Sequence, residues 1–202
     1  LRFGKSISKQ RTEMARNFVT KLWNASRYVS QKAGGTAPEW PKAEAKEDRW
    51  ILSRLSTTAH QVTASLNRFE FGEAAETLYR FVWNDFCDWY IELSKRRVDE
   101  EVVKQTLACV LEQTLRLLHP MTPFVTEEIW QRFRELGWKR DPSIMTVSWP
   151  EPAAALRDPG LEEEMSLVFE AVGAIREQRA ANRIEAKEAT RAVLSTKDPH
   201  VT

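Results

Sequence analysis

Apolar residues recur along this chain mainly at intervals of three and four, which is the spacing of one face of an α-helix. Between residues 10 and 31 this stripe consists of Met14, Phe18, Leu22, Ala25 and Val29. Two glycines and two prolines within residues 33–45 predict a loop, because both residue types interrupt regular structure. Further stripes predict helices at 48–68, 72–97 and 99–119, with Asp48 as a cap of the first.

The helix at 72–97 is rich in aromatic residues and has one predicted inward side. That side consists of Phe71, Ala75, Leu78, Val82, Phe86, Trp89 and Leu93. We assign the aromatic run at 81–90 to the core, because its rings follow helical spacing and the nearby acids Asp85, Asp88 and Glu92 would repel phosphate.

Pro120 ends the next helix, and Thr122 followed by Pro123 predicts the start of another, which ends at Gly137. Beyond Gly137 the pattern changes: a short β-prone run occupies 144–148, a last helix is predicted at 161–183, and residues 192–195 resemble the start of a strand. A strand needs a sheet partner. We therefore expect the natural protein to continue beyond both abrupt ends of the sequence.

Long amphipathic helices bury their apolar faces against one another, so the predicted fold class is an all-α helix bundle. A short β-prone segment and the start of a small α/β piece are expected near the C-terminus. The predicted divisions are a connection at 1–9, the bundle at 10–150, and a C-terminal helix with the beginning of a mixed domain at 151–202.

The composition is that of an ordinary globular protein, with 42% hydrophobic and 29% charged residues. Two cysteines, Cys87 and Cys109, match no zinc or disulfide pattern and are expected to be buried thiols. Neither a long apolar span nor a signal-peptide pattern is present, which predicts a cytoplasmic protein without membrane contact. The three histidines lie far apart in sequence, and no catalytic residues, metal ligands or cofactor-binding residues are predicted.

The net charge of +1 conceals an uneven distribution. Residues 1–32 contain eight basic side chains and one acid, a net charge of +7, so the remaining residues carry −6. A basic end on a near-neutral protein indicates a polyanionic partner, although an ordinary solvated helix face would also explain it.

Polar side chains form a row beside the apolar stripe of the first helix. Projected at 100° per residue, this row consists of Asn17, Lys21, Asn24 and Tyr28. Amides can pair with the edges of unstacked bases, a tyrosine ring can stack on a base, and a lysine can contact phosphate. A second row on the far side consists of Arg16, Thr20, Trp23 and Arg27. Bonding between helices, or packing in the core, would account for the same residues without RNA.

Four segments carry a family likeness. They are residues 17–28 (NFVTKLWNASRY), 48–55 (DRWILSRL), 81–95 (FVWNDFCDWYIELSK) and 119–130 (HPMTPFVTEEIW). They resemble the anticodon-binding bundle of class I aminoacyl-tRNA synthetases, and the first three resemble the valine-specific members. The nucleotide-binding signatures of that family, a His-Ile-Gly-His type and a Lys-Met-Ser-Lys-Ser type, are not in this sequence.

This resemblance implies the tRNA-binding part of an enzyme that attaches valine to its tRNA. That enzyme would use ATP and magnesium, and its catalytic centre would lie in another region. The expected partners are valine tRNA and the catalytic domain of the parent chain, in a monomer. The hypothesis assigns Arg16, Lys21 and Arg27 to phosphate or base contacts, Asn17 and Asn24 to base edges, and Tyr28 to stacking. The alternatives are the same bundle from an isoleucine enzyme, or a helical scaffold that binds proteins and no RNA.

Overall fold

The computed structural model describes residues 9–138, 141–151, 153–185, 188–189 and 191. All the regular elements of this part of the chain are helical, which confirms the predicted all-α fold class. They are α1 (Lys9–Ala33), α2 (Lys46–Asn67), α3 (Phe71–Arg80), a π-helical segment (Phe81–Tyr90), α4 (Ile91–Ser94), α5 (Glu101–Leu118), α6 (Pro123–Glu135), 3₁₀ turns at Ile144–Thr146 and Ala154–Leu156, and α7 (Pro159–Ala181).

Helix α5 lies at the centre of the bundle, where it contacts α1, α2 and α6. Every residue from Thr106 to Leu115 is buried, so α5 is enclosed on all sides, although the sequence predicted a single apolar stripe. Its buried polar groups are satisfied locally: Thr114 donates to the Val110 carbonyl at 2.6 Å, and Glu112 pairs with Arg116 at 3.2 Å. Such internal pairing allows polar side chains to lie inside a helix bundle.

Helix α1 buries the predicted stripe from Phe18 to Val29, whereas Met14 at its start is 52% exposed. On one side α1 packs against the π-helical segment, and on the other side it contacts α6. The loop after α1 is confirmed, since residues 34–45 form no regular element. Together with α5, these neighbours leave the remaining side of α1 facing solvent.

Asp48 is not the cap of α2, because that helix begins at Lys46. The carboxylate is fully buried, where it accepts a hydrogen bond from the Tyr90 hydroxyl at 2.8 Å and lies 3.1 Å from Arg97 Nη2. Burial raises the pKa of Asp48, while the bonds from Tyr90 and Arg97 oppose that rise. Asp48 thus connects α2 to Tyr90 of the π-helical segment and to Arg97, which lies after α4.

The predicted β-prone run at 144–148 is wrong, because Ile144–Thr146 forms a 3₁₀ turn. Glu127 of α6 holds this turn, accepting bonds from the Ser143 hydroxyl at 2.9 Å and the Ile144 amide at 3.2 Å. The strand-like residues 192–195 lie outside the described residues.

The chain divides into two compact units after Arg157. The domain divisions at 9–10 and 150–151 stay predictions. The second unit contains α7, which begins two residues earlier than predicted. Asp158 caps it by accepting a bond from the Leu161 amide at 3.0 Å, and Pro159 takes the first helical position.

Candidate nucleic-acid interface

The solvent-facing side of α1 carries four of the six predicted site residues. Asn17, Asn24, Arg16 and Arg27 are all exposed, while Phe18, Leu22, Ala25 and Val29 on the opposite side are buried. The two rows predicted separately, one of amides and one of cations, therefore form one continuous surface. The amides supply hydrogen-bond donors and acceptors, and the guanidinium groups supply positive charge and planar donors.

Lys21, the fifth predicted residue, turns from solvent towards the π-helical segment. Its ammonium Nζ lies 2.6 Å from Asp88 Oδ1 and 3.9 Å from the centre of the Trp83 ring. The Lys21 side chain is 22% exposed and that of Asp88 is 51% exposed. Lys21 is thus held by an ion pair and a cation–π contact at the edge of the α1 surface.

Trp83 belongs to a stack of rings between α1 and the aromatic helix. The Trp83 and Tyr79 rings lie 5.5 Å apart at 15°, and the Tyr79 and Phe18 rings lie 5.3 Å apart at 27°. The assignment of residues 81–90 to the core is confirmed for Phe81, Phe86 and Tyr90. Trp83 is half-buried and connects that core to Lys21.

Tyr28, the sixth predicted residue, is half-buried rather than open along its ring. Its hydroxyl oxygen is inside the protein and has no hydrogen-bond partner among the described residues. Only part of the ring is therefore available for stacking, and the ring also packs against the bundle. A base contact by Tyr28 stays a prediction.

The other edge of the α1 surface is formed by Trp23 and Arg132 of α6. The Arg132 guanidinium carbon lies 4.4 Å from the centre of the Trp23 ring, and Arg132 Nε lies 3.0 Å from Glu128 Oε1. Trp23 is half-buried and Arg132 is exposed. This contact adds a third guanidinium group beside Arg16 and Arg27.

The sequence did not identify Asp88, Trp83 or Arg132 as parts of this surface. Asp88 follows Lys21 by 67 positions, and no spacing within either helix indicates that the two meet. The acidity of Asp88 even counted against a role near RNA. Only the packing of α1 between the π-helical segment and α6 brings these side chains to its edges.

The surface contains no arrangement that suggests catalysis within the part of the chain that is described. No cluster of three or more His, Cys, Asp or Glu side chains is placed to hold a metal ion there. Among those same residues, none of the helices combines the length and the apolar character needed to span a membrane. Hydrogen bonding, charge and stacking are what this surface can provide.

Comparison with known proteins points in the same direction. The sequence model of a family described as the anticodon-binding domain of tRNA ligase matches residues 48–194. The chain is 41% identical over 200 residues to a valine–tRNA ligase of Carboxydothermus hydrogenoformans, covering 96% of this chain and 22% of that protein. For a valine–tRNA ligase of Latilactobacillus sakei the identity is 44% over 184 residues, covering 86% and 20%. The chain spans about a fifth of the length of these relatives.

A solved structure shares the fold. It is that of Agrobacterium radiobacter K84 LeuRS in a ternary complex with tRNA and LeuAMS, with a TM-score of 0.58 and 20% identity. The likeness covers 75% of this chain and 18% of that chain. Helix α1 precedes the range of the family match, but the likeness to the Carboxydothermus protein extends over 96% of this chain.

Proposed function

This chain belongs to the family of anticodon-binding domains of tRNA ligases, and from that premise we propose that it binds the anticodon stem-loop of valine tRNA. The observation that carries the choice of valine is identity of about 40% to valine–tRNA ligases over most of the chain. In the intact protein, ATP and magnesium would serve a catalytic region elsewhere, and this bundle would hold the tRNA. We propose that the protein acts as a monomer.

The exposed side of α1 supports this function. Anticodon bases lie in a single-stranded loop, where their hydrogen-bonding edges and ring faces are open to a protein. Asn17 and Asn24 lie two helical turns apart on that side and would pair with base edges. Arg16 and Arg27 would contact phosphates, which fixes the register of the loop without reading its sequence.

The rigidity behind α1 also favours base reading. A hydrogen bond discriminates between bases only if its donor or acceptor is held in place. Leu22 and Val29 are fully buried beneath the exposed amides, and α5 packs along the same helix. The amides therefore project from a helix that is fixed by the core.

The genetic code supplies a test of the choice of valine. Valine codons begin with GU, so valine anticodons end in adenine then cytosine, and isoleucine anticodons end in adenine then uracil. Binding of two synthetic anticodon stem-loops, differing only in that last base, would be measured by fluorescence anisotropy at low and moderate salt. We expect the cytosine loop to bind about tenfold more tightly, since one well-made base contact discriminates by about 1–3 kcal/mol.

Each alternative predicts another result. Tighter binding of the uracil loop would indicate an isoleucine-specific protein. Failure to bind either loop would contradict the tRNA-binding proposal and favour a protein-interaction scaffold. Sedimentation of the chain alone would test the monomer, because a concentration-dependent increase in mass would contradict it.

A further inference from the structure

Asp88 places a carboxylate at the edge of the proposed RNA-binding surface. Its Oδ1 lies 2.6 Å from Lys21 Nζ, and half of its side chain remains exposed. Lys21 follows Asn17 by four residues and precedes Asn24 by three, so all three are neighbours along one side of α1. Through its contact with Lys21, the Asp88 carboxylate is thus placed at the edge of the α1 surface that carries Asn17 and Asn24.

The lysine that pairs with this carboxylate is also held by aromatic rings. Lys21 is held from two directions, by Asp88 and by the Trp83 ring at 3.9 Å. Trp83 in turn stacks on Tyr79, whose ring stacks on Phe18 in the core. A side chain anchored through such a series of contacts loses little additional freedom when a ligand binds, which favours selective recognition.

A carboxylate on a surface that approaches RNA repels the phosphate backbone unless a cation balances it, and it can accept further hydrogen bonds besides the one from Lys21. The partner chemistry that suits a carboxylate is an amino group: Asp and Glu accept hydrogen bonds from the exocyclic N4 amino group of cytosine. Lys21 keeps the local charge balanced, so that Asp88 can act as an acceptor without adding net negative charge.

We propose that Asp88 is a specificity-determining residue that accepts a hydrogen bond from the N4 amino group of the last anticodon base. This inference rests on the proposed function, and it explains how cytosine is distinguished from uracil. Uracil presents the O4 carbonyl oxygen where cytosine presents the amino group. Two acceptors would then face each other, and the uracil loop would bind less tightly.

The test is Asp88→Asn, measured with the cytosine and uracil stem-loops. Asparagine keeps the shape of aspartate, but it can offer its carbonyl oxygen to cytosine or its amino group to uracil. We expect the preference for cytosine, about tenfold in the unchanged protein, to fall close to one. The cytosine loop should lose affinity and the uracil loop should gain it. The matched control is Glu70→Gln, an exposed carboxylate paired with Arg68 at 2.7 Å in the turn before α3, which should leave the preference unchanged.

A second measurement changes the RNA. A stem-loop that carries 2-pyrimidinone, which is cytosine without its 4-amino group, should bind the unchanged protein less tightly than the cytosine loop. The Asp88→Ala protein, which has no acceptor at this position, should lose little further affinity on the same exchange, because the protein change and the RNA change remove the same hydrogen bond. Additive losses would overturn the proposal. A melting temperature equal to that of the unchanged protein would show that the variant folds.

The remaining outcomes overturn the proposal in distinguishable ways. If Asp88→Asn binds both loops more tightly by the same factor, Asp88 only withholds Lys21 from phosphate. If the variant keeps the full cytosine preference, another residue reads the base, and the proposed function stands without this inference. If the unchanged protein binds neither loop, the proposed function fails together with the inference.

Discussion

Cys87 follows the aromatic core and precedes Asp88, and its thiol is mostly shielded from water. Burial raises the pKa of this thiol to about 12, while the charges of Lys21 and Asp88 act on it in opposite directions. A thiolate is the reactive form of cysteine, so a raised pKa makes Cys87 unreactive at neutral pH. The thiol therefore behaves as a small apolar group close enough to Lys21 and Asp88 for both charges to act on it.

We predict that iodoacetamide labels Cys87 far more slowly in the folded protein than in the unfolded chain at pH 8. The pKa rises from 9.0 to about 12 on folding, which reduces the thiolate fraction roughly a thousandfold. The rates are measured by peptide mass spectrometry. Equal rates in the two states would contradict the burial of Cys87.

The same shift fixes the sign of a pH effect on stability. Because the folded-state pKa is raised, the contribution of Cys87 is fully present below pH 9.0 and is lost as the pH rises towards 12. The free energy of unfolding should therefore fall between pH 9 and 12 partly because of Cys87, and Cys87→Ser should make that fall smaller. The control is the same variant at pH 7, where this contribution does not depend on pH.

At the scale of elements, the π-helical segment changes which residues face the core. Buried positions follow each other at intervals of four from α3 through α4: Leu78, Val82, Phe86, Tyr90 and Ser94. In an α-helix, four residues turn the chain 40° past a full rotation, so such a row would drift around the helix. Hydrogen bonds between residues five apart, as from the Ile91 amide to the Phe86 carbonyl, widen the turns and keep the row aligned.

This widening explains an error in the predicted inward side. The 3.6-residue period placed Trp89 and Leu93 inward, but both are half-buried, while Tyr90 is fully buried. The predictions for Leu78, Val82 and Phe86 are confirmed, whereas Phe71 and Ala75, in the first turns of α3, were also predicted to face inward and are exposed. The π-helical segment also places Tyr90 within hydrogen-bond distance of Asp48. It places Asp88 at the surface, in contact with Lys21 of α1.

We predict that Tyr90→Phe lowers the free energy of unfolding by about 1–3 kcal/mol. The change leaves the buried Asp48 carboxylate without the hydroxyl that donates to it at 2.8 Å. Urea unfolding followed by circular dichroism measures the loss. Tyr79→Phe deletes the same atom from a half-buried ring whose described contacts are stacking, and should cost less than about 0.5 kcal/mol. Equal losses in the two variants would contradict the role given to the Asp48–Tyr90 bond.

At the scale of the whole molecule, positive charge is concentrated at one end of the sequence and on one side of α1. Residues 1–32 carry +7 in a chain whose net charge is +1. Arg16 and Arg27 lie on the exposed side of α1, and Arg132 reaches its edge from α6. A protein with this distribution presents one preferred face to a polyanion.

We predict that Arg16→Gln and Arg27→Gln each flatten the salt dependence of stem-loop binding. One contact with a single-strand phosphate contributes about −0.7 to the slope of log affinity against log salt. Each variant should therefore lose about that amount. Lys42→Gln removes an exposed lysine from the loop after α1, and should leave the slope unchanged. A slope unaffected by either arginine change would show that α1 does not contact phosphate.

The sequence by itself determined the helical elements and the family of this protein. Periodicity, prolines, glycines and the segments around residues 17–28 and 81–95 are local features, because each is set by neighbours along the chain. These local features were sufficient to predict the buried stripe of α1 and the loop after it. They also predicted the exposed positions of Arg16, Asn17, Asn24 and Arg27. They also predicted that Pro123 begins a helix.

Only the tertiary structure decided which side chains meet across helices. Lys21 finds Asp88 at a separation of 67 residues, and Tyr90 finds Asp48 at a separation of 42. Neither contact can be predicted from the spacing of residues along the chain. Both contacts depend on how the helices pack and on the wider turns of the π-helical segment. The central position of α5 has the same origin, since burial on every side follows from three neighbouring helices rather than from its own period.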